Sequence, residues 1–477
     1  MTEAPRSPGL LRLEAEIARD FARLNHPPAD WVPPSRDRTG QRVADVAIVG
    51  AGMCGLVAAF GLRRLGISNI THIDGAEPGR EGPWVTYARM RTLRSPKHLT
   101  GPAQGLPNLT FRAWWEAQDR DWEALDKIER TAWMAYLTWY RDMTGARVEN
   151  ETRLTHILPA AHGVEIQTAG KTGRRRFAAR RVILATGREG QAVPRVPAPL
   201  QPFMGKTVFH SADPMPAVDG RHVAVVGLAA SAFDNAAEAL DRGASRVTLI
   251  GRSDAIPRLN KMKQTVYPGF THGFPMLRDE EKLEWLDHVM QHRIAPPRAS
   301  VQRISQDPRV SLWLRAEVAE AREGPDGLTL ATTKGSLTVD TVILGTGFAV
   351  DLSVLSNVGD FATDILTWAD RVPNAVGEWG AFPYLGDGFE FLAQPGRAVP
   401  GLSRVHCFTH AAQLSLGNLS NDIPAVSEGA DRLARAIATA LFLEDREVHR
   451  ANLESYADPE LLGDEWPGVN AWDPPVR

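Results

Sequence analysis

The sequence has very few cysteines. Among its 477 residues the only two are Cys54 and Cys407, and they form no CxxC pair. This scarcity excludes a disulfide framework and a CxxC redox centre, and it is typical of proteins kept in a reducing compartment. The sequence therefore predicts a cytoplasmic protein.

The sequence also lacks a charge excess and a long apolar run free of glycine. A net charge of −3 gives no basic surface for nucleic acid, so we expect no nucleic-acid partner. The first 20 residues mix acidic with apolar side chains, unlike a secretory signal. Residues 46–62 form the longest uncharged apolar stretch, but four glycines interrupt it. This pattern predicts a strand, a turn and a helix, and we expect no membrane partner.

A chain of this length forms two or three domains, and an internal repeat indicates how they are built. Residues 46–49 (VAIV) and 223–226 (VAVV) each lead into a turn of small residues and a helix. Residues 164–186 and 328–346 each read as a hairpin followed by an apolar strand, and the two strands end in VILATG and VILGTG. One plan present twice predicts an α/β fold with two Rossmann-like dinucleotide-binding domains.

The first copy carries a complete nucleotide fingerprint. Gly50, Gly52 and Gly55 follow a strand and open a helix in the pattern GxGxxG. The first glycine permits a tight turn, the second lets the backbone approach a pyrophosphate, and the third lets the helix pack on the strand. Asp74 ends the next strand, where a carboxylate accepts hydrogen bonds from ribose hydroxyls. These four residues predict a tightly held dinucleotide.

The second copy has an altered fingerprint. It keeps the first glycine, but alanines stand where the second and third glycines are usual. The next strand (246–250) is followed by glycine and arginine instead of an acid. A guanidinium suits a 2′-phosphate, so this copy predicts NADPH rather than NADH, held more loosely than the first cofactor. The alternative is a structural Rossmann unit with a surface arginine. The candidate cofactor-binding residues are Gly227, Ala229, Ser231, Ala232 and Arg252.

Over about residues 44–440 the sequence resembles the class B flavin-dependent monooxygenases, which include flavin-containing, N-hydroxylating and Baeyer–Villiger enzymes. GREGPW (79–84) is similar to the family's segment beside the flavin, and ATG occupies 185–187. FMGKTVFHS (203–211) is similar to the family's linker signature, and DTVILGTGF (340–348) to the segment that returns the chain to the FAD domain. The resemblance implies FAD and NADPH as cofactors. It also implies FAD contacts by Trp84, Thr186 and Gly187.

The resemblance implies a discontinuous FAD domain with the NADP domain inserted into it. We expect a helical arm and linker over 1–43 and the first part of the FAD domain over 44–206. The NADP domain would then occupy 207–345. The second part of the FAD domain, with a C-terminal helix, would occupy 346–477.

The activity implied by the resemblance is monooxygenation through a C4a-peroxyflavin, formed after NADPH reduces FAD and O₂ adds to the flavin. The tryptophan typical of Baeyer–Villiger enzymes is absent after His210. This absence favours a soft heteroatom of a small molecule, with amine or amino-acid nitrogen first and sulfur second. Baeyer–Villiger oxygenation, an NAD(P)H dehydrogenase that does not oxygenate, and a non-catalytic nucleotide sensor stay open as alternatives.

The loop 88–97 lies where amino-acid N-hydroxylases place a loop that contacts flavin and substrate. Arg91, Arg94 and Asn260 are candidate catalytic residues, because a cation or an amide near the flavin stabilises a peroxide or holds substrate or nicotinamide. Lys97 is a candidate for binding a substrate carboxylate. Surface solvation or helix capping is the alternative for these four. His410 is a candidate for the substrate pocket wall, because LSLGNLSNDIP follows soon after it.

We predict no metal site. His288 and His292 have the spacing of a metal-binding helix face, but a solvated helix explains them better. The expected partners are a small-molecule substrate and O₂, and a homodimer is the assembly considered.

Overall fold

The computed structural model describes residues 6–171, 173–292, 294–420, 422–462 and 464–465. Its strands form two parallel sheets flanked by helices, which confirms the predicted α/β fold with two Rossmann-like units. The strands are β1 (Ala44–Val49), β2 (Ile70–Ile73), β3 (Val148–Glu149), β4 (Thr152–Ala160), β5 (Gly163–Gly170), β6 (Gly173–Leu184), β7 (Ala192–Pro194), β8 (Val208–His210), β9 (His222–Val226), β10 (Arg246–Gly251), β11 (Val310–Leu314), β12 (Val318–Gly324), β13 (Gly327–Thr332), β14 (Gly335–Val339), β15 (Thr341–Leu344), β16 (Phe348–Val350) and β17 (Val405–Cys407). The α-helices are α1 (Pro8–Leu24), α2 (Met53–Arg64), α3 (Phe111–Glu116), α4 (Arg130–Thr144), α5 (Ala230–Asp241), α6 (Pro268–Gly273), α7 (Asp279–Gln291), α8 (Arg298–Gln302), α9 (Trp368–Arg371), α10 (Gln413–Leu416), α11 (Val426–Glu444) and α12 (Arg446–Ser455).

The first parallel sheet has the order β3-β2-β1-β6, with β17 on the other side of β6. β1 reads ADVAIV and is buried along its whole length. Such a run forms a central strand because both faces of a parallel sheet are covered. β1 pairs in parallel with both β2 and β6. The Gly-rich turn after β1 therefore lies at the carboxyl edge of the sheet, where ligands bind in this kind of fold.

Strand β6 takes part in two kinds of strand pairing. Its 12 residues begin in an antiparallel hairpin with β5 and end in parallel pairing with β1 and β17. The hairpin expected over 164–186 is thus continuous with the nucleotide-binding sheet. Through β17, the chain returns to the first sheet after the whole second sheet has been built.

The second parallel sheet has the order β11-β10-β9-β15-β8. A separate antiparallel sheet, β12-β13-β14, precedes β15 in the chain, so the second half repeats the hairpin-then-strand plan of the first. The turn after β9 lies at the carboxyl edge, between the neighbouring strands β10 and β15. The two nucleotide loops therefore occupy equivalent places in the two sheets.

The two segments that connect the sheets pair with each other. β7 leads out of the first sheet, β16 leads back from the second, and the two are antiparallel, with Ala349 opposite Val193. On this pairing we propose the domain division at 44–206, 207–345 and 346–477, with the arm 1–43 in front. Residues 1–5, 172, 293, 421, 463 and 466–477 of these segments lie outside the described residues.

The altered fingerprint of the second sheet is explained by an exchange of small residues. A Cβ atom added to Gly345 would lie 2.6 Å from Cα and 2.7 Å from Cβ of Ala232. In the first sheet the equivalent strand position is Ala185 and the equivalent helix position is Gly55. The first sheet therefore has the methyl group on the strand and the second has it on the helix, and at the contact between β15 and α5 Gly345 compensates for Ala232.

Gly345→Ala is expected to destabilise the protein by about 1–3 kcal/mol, because the added methyl group overpacks the contact between β15 and α5. The measurement is thermal or urea unfolding. Gly273→Ala is the matched control, since its added Cβ would meet no atom within 4 Å. Equal stability of the two variants would contradict the compensation between residues 232 and 345.

Candidate functional site

The first nucleotide loop is shaped by two close backbone approaches. A Cβ atom on Gly50, whose φ is +102°, would lie 2.3 Å from the carbonyl oxygen of Ala185. A Cβ atom on Gly55 would lie 1.8 Å from the carbonyl oxygen of Gly50. A Cβ atom on Gly52, the N-cap of α2, would come no closer than 3.8 Å to protein, at Gly82 Cα. Packing thus requires the first and third glycines, while the second borders the space at the helix N-terminus.

Asp74 holds this loop in place. Its carboxylate accepts hydrogen bonds from the backbone N–H of Ala51 at 2.6 Å and of Ala76 at 2.7 Å. His72 Nε2 donates to the carbonyl oxygen of Gly50 at 2.9 Å. Burial lowers the pKa of His72 to about 4, so the imidazole is neutral at physiological pH. The ribose contact of Asp74 stays a prediction.

The turn after β6 offers polar groups that the protein itself does not satisfy. Within the described part of the chain, the buried Thr186 Oγ1 and Gln191 Nε2 have no hydrogen-bond partner. Gln191 is 1% exposed, and its Oε1 accepts from Cys407 Sγ at 3.1 Å and from Thr409 Oγ1. No protein atom lies within 4 Å of the Cβ position of Gly187. These groups fit a polar ligand, and FAD is the ligand expected beside this turn.

Trp84, the other expected FAD neighbour, is half-buried. Its carbonyl oxygen accepts a hydrogen bond from Arg130, and its ring packs edge-on against Trp133. The segment 79–84 is therefore anchored to α4 while it lies beside the glycine loop through Gly82.

The second nucleotide loop is more open. Ala229 is the exposed N-cap of α5 and makes no side-chain capping bond. Gly227 approaches the backbone of Gly345, since an added Cβ atom would lie 2.5 Å from that carbonyl oxygen. Ser231 is half-buried in the first turn of α5, and its carbonyl oxygen accepts from Asn235 Nδ2 at 2.8 Å. The N-terminus of α5 is therefore available to phosphate, with the methyl group of Ala229 beside it.

Arg252 is exposed and borders a pocket at the carboxyl edge of the second sheet. Arg315, which follows β11, borders the same pocket, and its backbone N–H donates to the carbonyl oxygen of Ser253 at 2.8 Å. Asp254 and His292 also line it. Two guanidinium groups at this place fit a 2′-phosphate. Sequence reasoning missed Arg315 because pairing of β10 with β11 brings it there from a distant part of the chain.

The three candidate site cations of the loop 88–97 contact protein groups. Arg91 donates to Asp241 at 2.8 Å, and Arg94 lies 3.6 Å from the carboxylate of Asp234. Lys97 Nζ donates to the carbonyl oxygen of Trp122 at 2.7 Å. Arg91 and Arg94 thus tie this loop to α5, and all three side chains are already engaged.

Asn260 caps the short 3₁₀ helix Lys261–Thr265, where its Oδ1 accepts from Met262 N at 3.1 Å. Thr265 in turn accepts from Asn418 Nδ2 at 3.0 Å. The segment around Asn260 is therefore joined to the C-terminal segment that follows His410. The roles of Arg91, Arg94, Lys97 and Asn260 in catalysis or binding stay predictions.

A cluster of titratable side chains interacts with Arg188, which directly follows the Thr186–Gly187 turn. Burial and the charges of Arg188 and Arg195 lower the pKa of His410 to about 3. Burial raises the pKa of Asp422, whose carboxyl group interacts with Arg188. Burial and Glu189 raise the pKa of Tyr87 to about 12. His410 and Tyr87 are thus neutral polar groups around the cation of Arg188.

Sequence reasoning identified His410 in this cluster but missed Tyr87, Arg188 and Asp422. The one feature of the sequence that could have indicated this cluster is Arg188, which directly follows the ATG turn at 185–187. His288 and His292 lie on α7, and no group of three or more His, Cys, Asp or Glu residues within the described ranges could hold a metal ion. Across the same ranges, no helix combines the length and apolar character needed to cross a membrane.

The chain is similar to several known flavoproteins. The sequence profile of the family described as pyridine nucleotide-disulphide oxidoreductase matches residues 47–310. The FAD-dependent urate hydroxylase of Xanthomonas campestris pv. campestris is 36% identical over 468 residues, which are 96% of this chain and 98% of that protein. This match therefore extends over nearly the whole length of both chains.

Two solved structures have the same fold. Ornithine hydroxylase from Pseudomonas aeruginosa has a TM-score of 0.65 at 17% identity, covering 84% of this chain and 100% of that one. L-lysine 6-monooxygenase from Pseudomonas syringae has a TM-score of 0.63 at 18% identity, covering 83% and 99%. The chain therefore belongs to the pyridine nucleotide-disulphide oxidoreductase family, and its predicted place among the class B flavin-dependent monooxygenases, which use FAD and NADPH, is confirmed.

Proposed function

We propose that this chain is a monooxygenase that uses FAD, NADPH and O₂ to hydroxylate urate or a closely related oxidised purine. The observation that carries the proposal is the 36% identity to a FAD-dependent urate hydroxylase, which extends over 96% of the chain. The cation of Arg188 and the neutral side chains of Tyr87 and His410 around it support the proposal, because urate is a planar anion with many hydrogen-bonding atoms at neutral pH.

Bound FAD supplies the transfer of two electrons from NADPH to O₂. One oxygen atom enters the substrate, and the other leaves as water with the hydride of NADPH and one proton. The loop Gly50–Gly55 would hold the FAD pyrophosphate, and the loop after β9 would hold that of NADPH. His410 is neutral at physiological pH, so it adds no charge beside Arg188.

Oxygenation of a soft heteroatom is the second candidate, with amine or amino-acid nitrogen before sulfur. The resemblance of the loop 88–97 to that of amino-acid N-hydroxylases favours it. Its cations Arg91, Arg94 and Lys97 already contact protein groups, so a substrate carboxylate would have to displace those contacts. For this reason we rank urate first. The homodimer and the cytoplasmic location stay predictions.

FAD-loaded enzyme is expected to oxidise NADPH much faster with urate than without it, and to incorporate one atom of isotope-labelled dioxygen into the product. The measurement combines NADPH absorbance, oxygen uptake and mass spectrometry of the product. Adenine, a purine without oxo groups, serves as the control and should not stimulate NADPH oxidation. A panel of ornithine, lysine, a sulfide and a cyclic ketone tests the other substrate classes.

Each result of this experiment separates two reaction types. Stimulation by an amine or sulfide alone would replace urate by the second candidate, and stimulation by the ketone alone would indicate Baeyer–Villiger oxygenation. NADPH oxidation without label in any product, but with reduction of an added quinone, would indicate a dehydrogenase. Absence of any NADPH oxidation by flavin-loaded protein would indicate a nucleotide sensor.

A further inference from the structure

The loop 88–97, which follows β2 of the first sheet, contacts helix α5 of the second sheet through charged side chains. Arg91 donates to the carboxylate of Asp241 at 2.8 Å, and Arg94 lies 3.6 Å from the carboxylate of Asp234. Helix α5 begins at the turn after β9, where NADPH is expected to bind. The two ion pairs therefore connect the first Rossmann-like unit to the helix that would hold the second cofactor.

The acidic side of this contact is built on one face of α5. Asp234, Glu238 and Asp241 are separated by four and three residues, a spacing that places side chains on the same helix face. Asp234 is 3% exposed and accepts a hydrogen bond from Ser300 Oγ at 2.6 Å. Asp241 also forms an ion pair with Arg303. Side chains of the second unit thus hold the two acids in place.

The basic side of the contact is anchored to the first unit. The backbone N–H of Arg130, at the start of α4, donates to the carbonyl oxygen of Arg91 at 3.0 Å, and Leu93 is buried in the core of the first sheet. The guanidinium of Arg130 donates to the carbonyl oxygen of Trp84, whose segment lies beside the first glycine loop through Gly82. A continuous series of contacts therefore joins the first nucleotide loop to α5.

The two ion pairs differ in how strongly water and salt weaken them. The side chains of Arg91 and Asp241 are 67% and 44% exposed, so this pair contributes little by itself. The carboxylate of Asp234 is buried, so its interaction with Arg94 is screened less. Arg94 is therefore the residue of the loop whose removal should affect the contact most.

We propose that this ionic contact holds α5 at a fixed position relative to the FAD site, so that NADPH reaches the flavin for hydride transfer. The hydride carries two electrons from NADPH to FAD and leaves NADP⁺. Arg91 and Arg94 are then positioning residues, which act through α5 and not on the flavin or the substrate. Hydride transfer is sensitive to such positioning, since a displacement of about 1 Å can reduce a rate about a hundredfold. The inference goes beyond the proposed function, because it concerns the reduction of the flavin and not the substrate that is oxygenated.

Arg94→Gln is expected to reduce the rate of flavin reduction at saturating NADPH by about tenfold, which is within the range for coupled charged neighbours. Stopped-flow flavin absorbance measures this rate after FAD-loaded enzyme is mixed with NADPH in the absence of O₂. Arg94→Lys keeps the charge and should restore most of the rate. Arg435→Gln is the control and should be reduced like the wild type, because Arg435 forms its ion pair with Asp431 inside α11.

A double-mutant cycle tests whether Arg94 and Asp234 act together. Arg94→Gln, Asp234→Asn and the double variant should all lose the rate to the same extent, because each removes the same ion pair. Added salt should slow flavin reduction in the wild type more than in Arg94→Gln, since the variant has already lost the charge interaction. Additive losses in the double variant would show that Arg94 acts on another group and would overturn the assignment.

Hydrogen exchange reports the contact without any turnover. In FAD-loaded protein without NADPH, the backbone amides of the loop 88–97 should exchange faster in Arg94→Gln than in Arg435→Gln. We expect the flavin content and the dissociation constant of NADP⁺ in Arg94→Gln to equal those of the wild type. Loss of flavin or weaker binding of NADP⁺ would place Arg94 in a cofactor site, and an unchanged rate of flavin reduction would remove its positioning role.

The outcome for this contact is distinguishable from the outcome for urate. If urate is not oxygenated, the proposed function fails, and Arg94→Gln must still slow the reduction of the flavin by NADPH. If urate is hydroxylated and Arg94→Gln is reduced as fast as the wild type, only the positioning role fails. If NADPH does not reduce the flavin of the wild type, both fail.

Discussion

Gly52→Ala is expected to give a folded protein that no longer retains FAD. The added methyl group has room within the protein, since its nearest neighbour would be Gly82 Cα at 3.8 Å. On the ligand side it would stand where the backbone meets the pyrophosphate. Loss of two charge-assisted hydrogen bonds of about 1.5 kcal/mol each would raise the dissociation constant by about a hundredfold. Flavin absorbance after gel filtration and titration of the apoprotein measure the effect.

Gly55→Ala is the informative contrast to Gly52→Ala. Its methyl group would lie 1.8 Å from the carbonyl oxygen of Gly50, so we expect loss of folding as well as of flavin. Circular dichroism distinguishes the two variants. A Gly52→Ala protein that keeps its full flavin content would show that the pyrophosphate does not lie at the N-terminus of α2.

Arg252→Ala is expected to reduce kcat/KM for NADPH by about tenfold to a few hundredfold and to leave that for NADH nearly unchanged. The guanidinium would pair with the 2′-phosphate, and each charge-assisted hydrogen bond contributes about 1.5–3 kcal/mol. About 1.4 kcal/mol corresponds to tenfold. Arg315→Ala should act in the same direction, because both arginines border one pocket. Steady-state kinetics with both nucleotides measure these changes.

Arg246→Ala is the matched control for the two pocket arginines. Arg246 is exposed at the first residue of β10, whereas Arg252 follows the last, so the control lies at the opposite edge of the sheet. It should leave both nucleotides unaffected. Equal losses with NADPH and NADH in Arg252→Ala would indicate a role in the fold or at the shared pyrophosphate. No loss in either variant would indicate that another basic residue, Arg258 or Lys261, binds the 2′-phosphate.

The nucleotide fingerprints could be predicted because their causes are local. A strand, a turn of small residues and a helix lie within one short segment, and the requirement for Gly50 and Gly55 follows from backbone contacts inside that segment and its neighbouring strand. The departures at Ala232 and Gly345 were visible in the sequence too. Their structural consequence could not be seen in the sequence, because the contact joins Ala232 and Gly345, which are far apart in the chain.

The cluster around Arg188 could not be predicted because its residues meet only in the folded chain. Tyr87, Arg188, His410 and Asp422 come from three separate segments, and none belongs to a short motif with a known role. The contacts made by charged side chains could not be predicted from the sequence either. The position of Lys97 in the loop 88–97 predicts that it binds a substrate carboxylate. Its contact with the carbonyl oxygen of Trp122 depends on packing against a different segment, so the sequence does not indicate it.

The pairing of β7 with β16 has a consequence for how such a protein arises and how it can be rebuilt. Because Phe348 lies opposite Pro194, the chain departs and re-enters side by side. A tight hairpin turn could join these two points. Residues 195–347 are nevertheless no free-standing cassette in the genetic sense, because Phe270, Phe274, Leu283 and Leu286 belong to the hydrophobic core of the first sheet. An exchange of this stretch between relatives would therefore have to preserve that shared core.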